Sequence, residues 1–111
     1  MFKITGSRGF HIIFPNGITL STQFGYGNYC DNYDKKEIMN PMHIAAIDLD
    51  CKDAEVAIVY KEAWFTEDMH REVFETELEN NVMGHVNTAQ WLKIANWCAS
   101  NHPAEILLRR K

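Results

Sequence analysis

GFHIIFPNGITLSTQFGYGNYCDN, residues 9–32, is the stretch on which the reading of the chain turns. Phe10, Ile12 and Phe14 alternate with His11 and Ile13, which is the period of a β-strand. Asn16-Gly17 follows Pro15; both residues tolerate positive φ, so the pair suits a type I′ hairpin turn. Ile18, Leu20 and Thr22 then alternate with Thr19, Ser21 and Gln23. That makes a return strand apolar on one face and polar on the other. Phe24 closes the run and Gly25 breaks it.

Outward from the hairpin, Phe2 and Ile4 suit a short first strand, joined to the second through the flexible turn Gly6-Ser7-Arg8-Gly9. Residues 25–41 read as a long loop rich in Gly, Asn, Asp and Tyr, and long loops in a small domain tend to carry function. Lys35-Lys36-Glu37-Ile38 is compatible with a helical turn. Residues 42–49 (MHIAAIDL) and 54–60 (AEVAIVY) are strand-length runs, apolar on both parities, and are expected to be the most buried strands. Short connections favour pairing of sequence neighbours, giving an antiparallel meander of about five strands.

Composition then changes. Thr66 suits a helix cap, with Glu67 and Asp68 in the first turn where the helix dipole favours anions. Met69, Val73, Phe74 and Leu78 continue at helical spacing, and Asn80-Asn81 is the expected stop. Residues 82–86 read as a connector or a short edge strand. Asn87 or Thr88 caps a second helix, whose Trp91, Leu92, Ile94, Ala95 and Cys98 make an apolar stripe. Asn101-His102-Pro103 stops it. Residues 104–108 suit a last strand or a docked tail before a solvated basic end, Arg109-Arg110-Lys111. The expectation is a single α+β domain over residues 1–111, with two helices in the C-terminal half packed on one face of the sheet.

The chain of 111 residues is 46% hydrophobic and 23% charged, ordinary for one globular domain with a real core. A net charge of −4 argues against a dedicated nucleic-acid binder. No run approaches the length of a membrane helix, and MFKITGSRGF has no signal-peptide core. Cys30, Cys51 and Cys98 are scattered and odd in number, as expected of reduced thiols in a cytoplasm.

The first block resembles a family of small bacteriophage- and prophage-encoded proteins of unassigned activity. The shared pattern is the strand Gly9-Phe10-His11-Ile12, the turn Asn16-Gly17, the strand end Ser21-Thr22-Gln23-Phe24-Gly25 and the loop Gly27-Asn28-Tyr29-Cys30. A looser likeness covers residues 54–58 and residues 82–86 leading into the last helix. The acidic segment between them is longer and more charged than the family pattern. The resemblance implies a phage or mobile-element origin and an intracellular setting in a bacterial host; it supplies no activity to carry over.

The candidate binding residues are Tyr26, Asn28, Tyr29, Asp31, Asn32 and Tyr33, with His11 on the neighbouring strand. Glycines let backbone approach a ligand, tyrosines stack on a base or pack on a protein, and the amides and carboxylate read polar edges. The same residues also suit a self-bonded turn cluster with Tyr29 as its anchor. Gly25-x-Gly27 is no dinucleotide fingerprint, since the third glycine and the following helix are missing. A second candidate is an acidic surface of Glu67, Asp68, Glu72, Glu75 and Glu79, able to imitate the phosphate spacing of nucleic acid or simply to keep a helix soluble. Trp64-Phe65 suits an interface anchor or a corner of the core.

Cys30, His43, Cys51, His85 and Cys98 are potential zinc ligands, but no two have the spacing that pre-forms a site, so no metal or cofactor is expected. A Cys-His nucleophile pair, such as Cys30 with His11 or His43, lacks an accompanying oxyanion-hole loop. The expected function is therefore binding, not catalysis. The chain would serve a phage in counter-defence, as an inhibitor of a host immune protein or by sequestering a nucleotide signal. In the sequestering case Tyr26, Tyr29 and Asn28 would line a pocket near Arg8 or Arg109, across a homodimer. The alternative is a homo-oligomeric assembly module.

Overall fold

The hairpin is present. In the computed structural model, which describes residues 1–6, 8–36 and 50–110, β2 (Gly9–Ile13) and β3 (Thr19–Gln23) pair antiparallel, with Phe10 opposite Thr22 and Ile12 opposite Leu20. Their connection is not type I′. Gly17 has φ 90°, whereas Asn16 is not at positive φ. Gly17 N–H donates to Phe14 O at 2.8 Å and Phe14 N–H to Ile18 O at 2.9 Å. This is a three-residue loop, a turn over Pro15 and Asn16 closed by a left-handed glycine. Pro15 decides it: its fixed φ seats it in the turn and lengthens the loop by one residue.

That longer turn frees the Asn16 side chain to reach the helical layer. Its Nδ2 donates to Cys98 O and to Asn101 O, both at 2.7 Å, while its Oδ1 accepts Ile18 N–H at 2.9 Å. One side chain thus closes the hairpin and satisfies carbonyls at a helix C-terminus, where intrahelical partners run out.

β1 (Phe2–Thr5) pairs with β2 at one edge of a six-stranded sheet. On the other side β3 pairs directly with β4 (Ala54–Tyr60), with Leu20 opposite Ile58 and Gln23 opposite Glu55. The far edge of β4 is shared by β5 (Ala63–Trp64) and β6 (Met83–Val86), all antiparallel. The expected strand over residues 42–49 lies outside the described residues. β4 itself is not buried on both faces: Ala54, Val56 and Ile58 are buried, Ala57 and Val59 only partly. The reason is register, because Ala57 and Val59 share a face with Ser21 and Thr19; residues alternate across a strand, and only one face meets the helices.

Three helices among the described residues cover that face: α1 (Thr66–Phe74), α2 (Thr88–Ser100) and α3 (Pro103–Arg109). Leu20, Val56 and Ile58 of the sheet meet Phe65 at the start of α1, Met69 of α1, Ile94 and Trp97 of α2, and Ile106 of α3. Burying each such side chain contributes about 1.5–3 kcal/mol. Trp91 of α2 donates from Nε1 to Thr22 Oγ1 of β3 at 2.8 Å, so the one buried hydroxyl on the covered face is satisfied.

The helix ends differ from expectation in three places. Thr66 does not cap α1; its Oγ1 accepts the Ile58 N–H at 2.9 Å, holding the helix start to β4. α1 ends at Phe74 because Glu75 turns left-handed at φ 58° and donates its N–H back to Arg71 O. The carboxylates beyond it are therefore off the helix. Residues 104–108 belong to α3, which starts where Pro103 takes the first helical position; that position needs no N–H and welcomes a fixed φ. Asn87 caps α2 in a reciprocal box with Gln90, at 2.8 and 2.9 Å.

Asn16→Ala removes three hydrogen bonds at a half-buried position and leaves two helix-end carbonyls without that donor. A loss of about 1–3 kcal/mol is expected, read as a lower urea midpoint with an unchanged m-value.

Candidate functional site

The strongest candidate site is the loop that leaves β3 at Phe24. It is held by its own backbone and by carboxylates from the far side of the sheet end. Within the loop, Asn28 Oδ1 accepts Gly25 N–H at 3.0 Å, Tyr33 O accepts Gly27 N–H at 3.0 Å, and Asn32 Nδ2 donates to Phe24 O at 2.9 Å. From β4, Glu55 accepts Tyr29 N–H at 3.1 Å and Asn28 Nδ2 at 3.4 Å. Asp53 accepts Asp31 N–H at 2.6 Å. From β6, His85 N–H donates to Tyr29 O at 2.9 Å.

This last contact depends on Gly84. A Cβ there would stand 2.7 Å from Tyr29 Cβ and 3.1 Å from Tyr29 O. Only a residue without a side chain lets the loop backbone lie against β6.

The loop residues divide by role. Tyr29 and Tyr33 are 51% and 53% exposed and stack on each other, with ring centroids 5.9 Å apart and planes 19° from parallel. Tyr26 is half-buried and shares an open recess of about 410 Å³ with Gly27, Tyr33, Asp34 and Lys36. Asp31 is exposed and lies 3.9 Å from Lys35 Nζ and 3.7 Å from Lys52 Nζ. Asn28 and Asn32 turn their amides to the loop and its anchors. His11 stands apart from the loop, mid-sheet between Lys3 and Ser21.

Among the described residues, Tyr29 and Asn28 are not in the lining of the recess beside Tyr26. Arg8 donates to Tyr26 O at 3.2 Å, and Arg109 pairs with Glu72 elsewhere. A second, apolar hollow of about 210 Å³ lies between β2, β3, the segment leading into β4, the end of β6 and the start of α2, lined by Phe10, Phe24, Cys51, Asp53 and Trp91 among others. It is smaller than the clefts that hold drug-sized ligands.

The five carboxylates of the expected acidic surface fall in different settings. Asp68 is buried, gripped by Arg110 through Nε at 3.0 Å and Nη2 at 2.7 Å, and also met by Arg71. Glu72 accepts from Arg109 at 2.9 and 3.2 Å and from Trp97 Nε1 at 3.1 Å. Glu67, Glu75 and Glu79 are exposed, but the helix ends before the last two. Two of the five carboxylates are thus neutralised, and the five share no helix face. The basic end is not free solvated charge: Arg109 and Arg110 are the neutralising partners, and the Arg110 guanidinium lies 5.2 Å from the Phe65 ring centroid. Phe65 is a core corner, while Trp64 is 46% exposed.

One grouping was not legible in sequence. Cys30 of the loop, Cys51 and Asp53 offer ligand atoms that all lie within 4.8 Å of one another. Cys51 Sγ is 3.7 Å from Asp53 Oδ1, and His85 Nδ1 is 3.0 Å from Asp53 Oδ2. Burial pushes the Cys30 thiol up to about 11, with Cys51 and Asp53 adding to the rise. Asp53 sits below its ordinary carboxyl value: burial opposes the charge, but the Asp31 N–H, His85 and Cys51 outweigh it. Cys98 lies apart in the core, where burial pushes its thiol up to about 12. His43 lies outside the described residues. Long sequence separation hid this cluster; the one local hint is the pair Cys51 and Asp53, two residues apart.

No family model, curated protein or solved structure matches the chain. Among the described residues no helix is long and apolar enough to cross a membrane.

Two measurements follow. Gly84→Ala should push the loop off β6 and cost about 1–3 kcal/mol, with faster amide exchange confined to the loop and β6. Arg110→Ala, which leaves the buried Asp68 with Arg71 alone, should cost about 1–3 kcal/mol, and more than Arg109→Ala at half-exposed Glu72, by thermal or urea unfolding.

Proposed function

We propose that this chain is a phage or prophage accessory protein that acts by binding, as a counter-defence inhibitor of a host protein. The observation that carries the reading is the exposed, stacked Tyr29–Tyr33 pair on a loop already tied to β4 and β6. Large aromatic side chains with a polar tip are the usual anchors of protein interfaces. A loop held in place before binding loses little conformational entropy when it docks. Around the pair lie Asp31, Lys35 and Lys52, charges of both signs suited to a polar rim. The phage origin rests on the sequence resemblance.

The version in which an acidic helix imitates nucleic acid loses its support with Asp68 and Glu72 neutralised. The nucleotide version has less support, since among the described residues the recess by Tyr26 carries Lys36 as its one cation, with Asp34 beside it.

A second reading, a homo-oligomeric module, is favoured by the sheet edge. β1 is an outer strand whose Phe2 and Ile4 are 78% and 86% exposed. An uncovered apolar edge is a template for pairing with another strand.

The two readings separate by mutation. Tyr29→Ser with Tyr33→Ser should leave melting nearly unchanged and weaken capture of the host partner by about 30-fold or more, abolishing protection of the phage in an infection assay. Ile4→Lys should leave both intact; if instead it converts an oligomer seen by light scattering into monomer and removes activity, the assembly reading prevails.

A further inference from the structure

We infer that Cys30, Cys51 and Asp53 form a binding site for a zinc-class divalent cation, with His85 holding Asp53 from the outside. The donors come from two separate places, Cys30 from the aromatic loop and Cys51 with Asp53 from the segment leading into β4, and the outer His85 comes from β6. Nothing in local sequence spacing requires them to meet, yet all three ligand atoms lie within 4.8 Å of one another. Around a tetrahedral zinc with sulfur at about 2.3 Å and oxygen at about 2.0 Å, neighbouring ligand atoms stand roughly 3.5–3.8 Å apart. The Cys51 Sγ to Asp53 Oδ1 separation is already 3.7 Å. The remaining approach needs about an ångström of side-chain movement at most, within the reach of a rotamer adjustment.

The chemistry of the set selects the ion. Two thiolates with one carboxylate suit zinc and similar borderline-soft metals, and disfavour magnesium and calcium, which take oxygen alone. The carboxylate is oriented before any ion arrives. Asp53 is 11% exposed at its side chain, accepts Asp31 N–H at 2.6 Å, and faces His85 Nδ1 at 3.0 Å. Fixing a ligand by a partner outside it is the usual second layer of a metal site. His85 is placed there by a left-handed backbone, φ 54°, in an otherwise extended segment. On binding, each thiol loses its proton to solvent and forms a sulfur–metal bond; no electron is transferred. The fourth position is left to water.

The site would couple the Tyr29–Tyr33 loop to β4 and β6 by coordinate bonds in place of hydrogen bonds alone. It does not depend on what those tyrosines bind. An ion that binds only the folded chain raises its stability by mass action.

The test uses the full chain, purified anaerobically and reduced, then loaded with zinc and dialysed. The expected result is stoichiometric zinc by elemental analysis. Cobalt substitution should give a thiolate-to-metal charge-transfer band with intense tetrahedral visible bands, and chelation should lower the melting temperature. Cys51→Ser should abolish the charge-transfer band and zinc retention, His85→Ala should weaken affinity about 10–100-fold, and Cys98→Ser should change neither. Cys30→Ser should match Cys51→Ser; because Cys30 is buried, half-exposed Cys51 is the deciding position if that variant fails to fold. The proposal is overturned if wild type and Cys51→Ser retain equal zinc and give the same cobalt spectrum. A Cys30–Cys51 disulfide in the anaerobically prepared, zinc-supplemented protein would overturn it too.

Discussion

The ladder between β3 and β4 is the constraint on which the rest depends. Gln23 faces Glu55 at one end of it, so the chain between them must leave and re-enter the sheet at the same place. The residues that follow β3 and those that precede β4 therefore lie beside that ladder end. This is why the first residues after β3 can be hydrogen-bonded by the last residues before β4. Tyr29 N–H meets Glu55, Asp31 N–H meets Asp53, and Cys30 comes close to Cys51.

The loop is held mainly by polar contacts. Among its described residues, the buried ones are Gly25, Cys30 and Asn32, and none of them joins the main core. Hydrogen bonds to ionised carboxylates are stronger than neutral ones, and losing one partner costs more than the bond contributes net. The arrangement therefore specifies a geometry more than it adds stability. It leaves the two large apolar rings facing out, where a partner can use them.

Charge counted along a sequence is not charge on a surface. Seven carboxylates between Glu62 and Glu79 read as an acidic stripe. The fold brings the C-terminal arginines back across α1, and Asp68 and Glu72 are spent on Arg110 and Arg109. Removing either ion from water is costly unless a partner meets it, which these bidentate contacts provide. A helix that seemed built to repel is tied to the chain terminus instead.

The sequence by itself determined the alternation of β2 and β3, the glycine at their turn, a capped amphipathic α2 with Ile94 and Cys98 inward, and hence the α+β layering, though Leu92 of the expected stripe is exposed and Trp97 is buried in its stead. These are local: period, turn chemistry and capping act over a few residues. Tertiary structure decided what local rules cannot reach. Pro15 added one residue to the turn, and that let Asn16 clamp the end of α2. Glu75 ended α1 early by turning left-handed. Two cysteines separated by the whole excursion between β3 and β4 met because the ladder returns the chain to its point of departure.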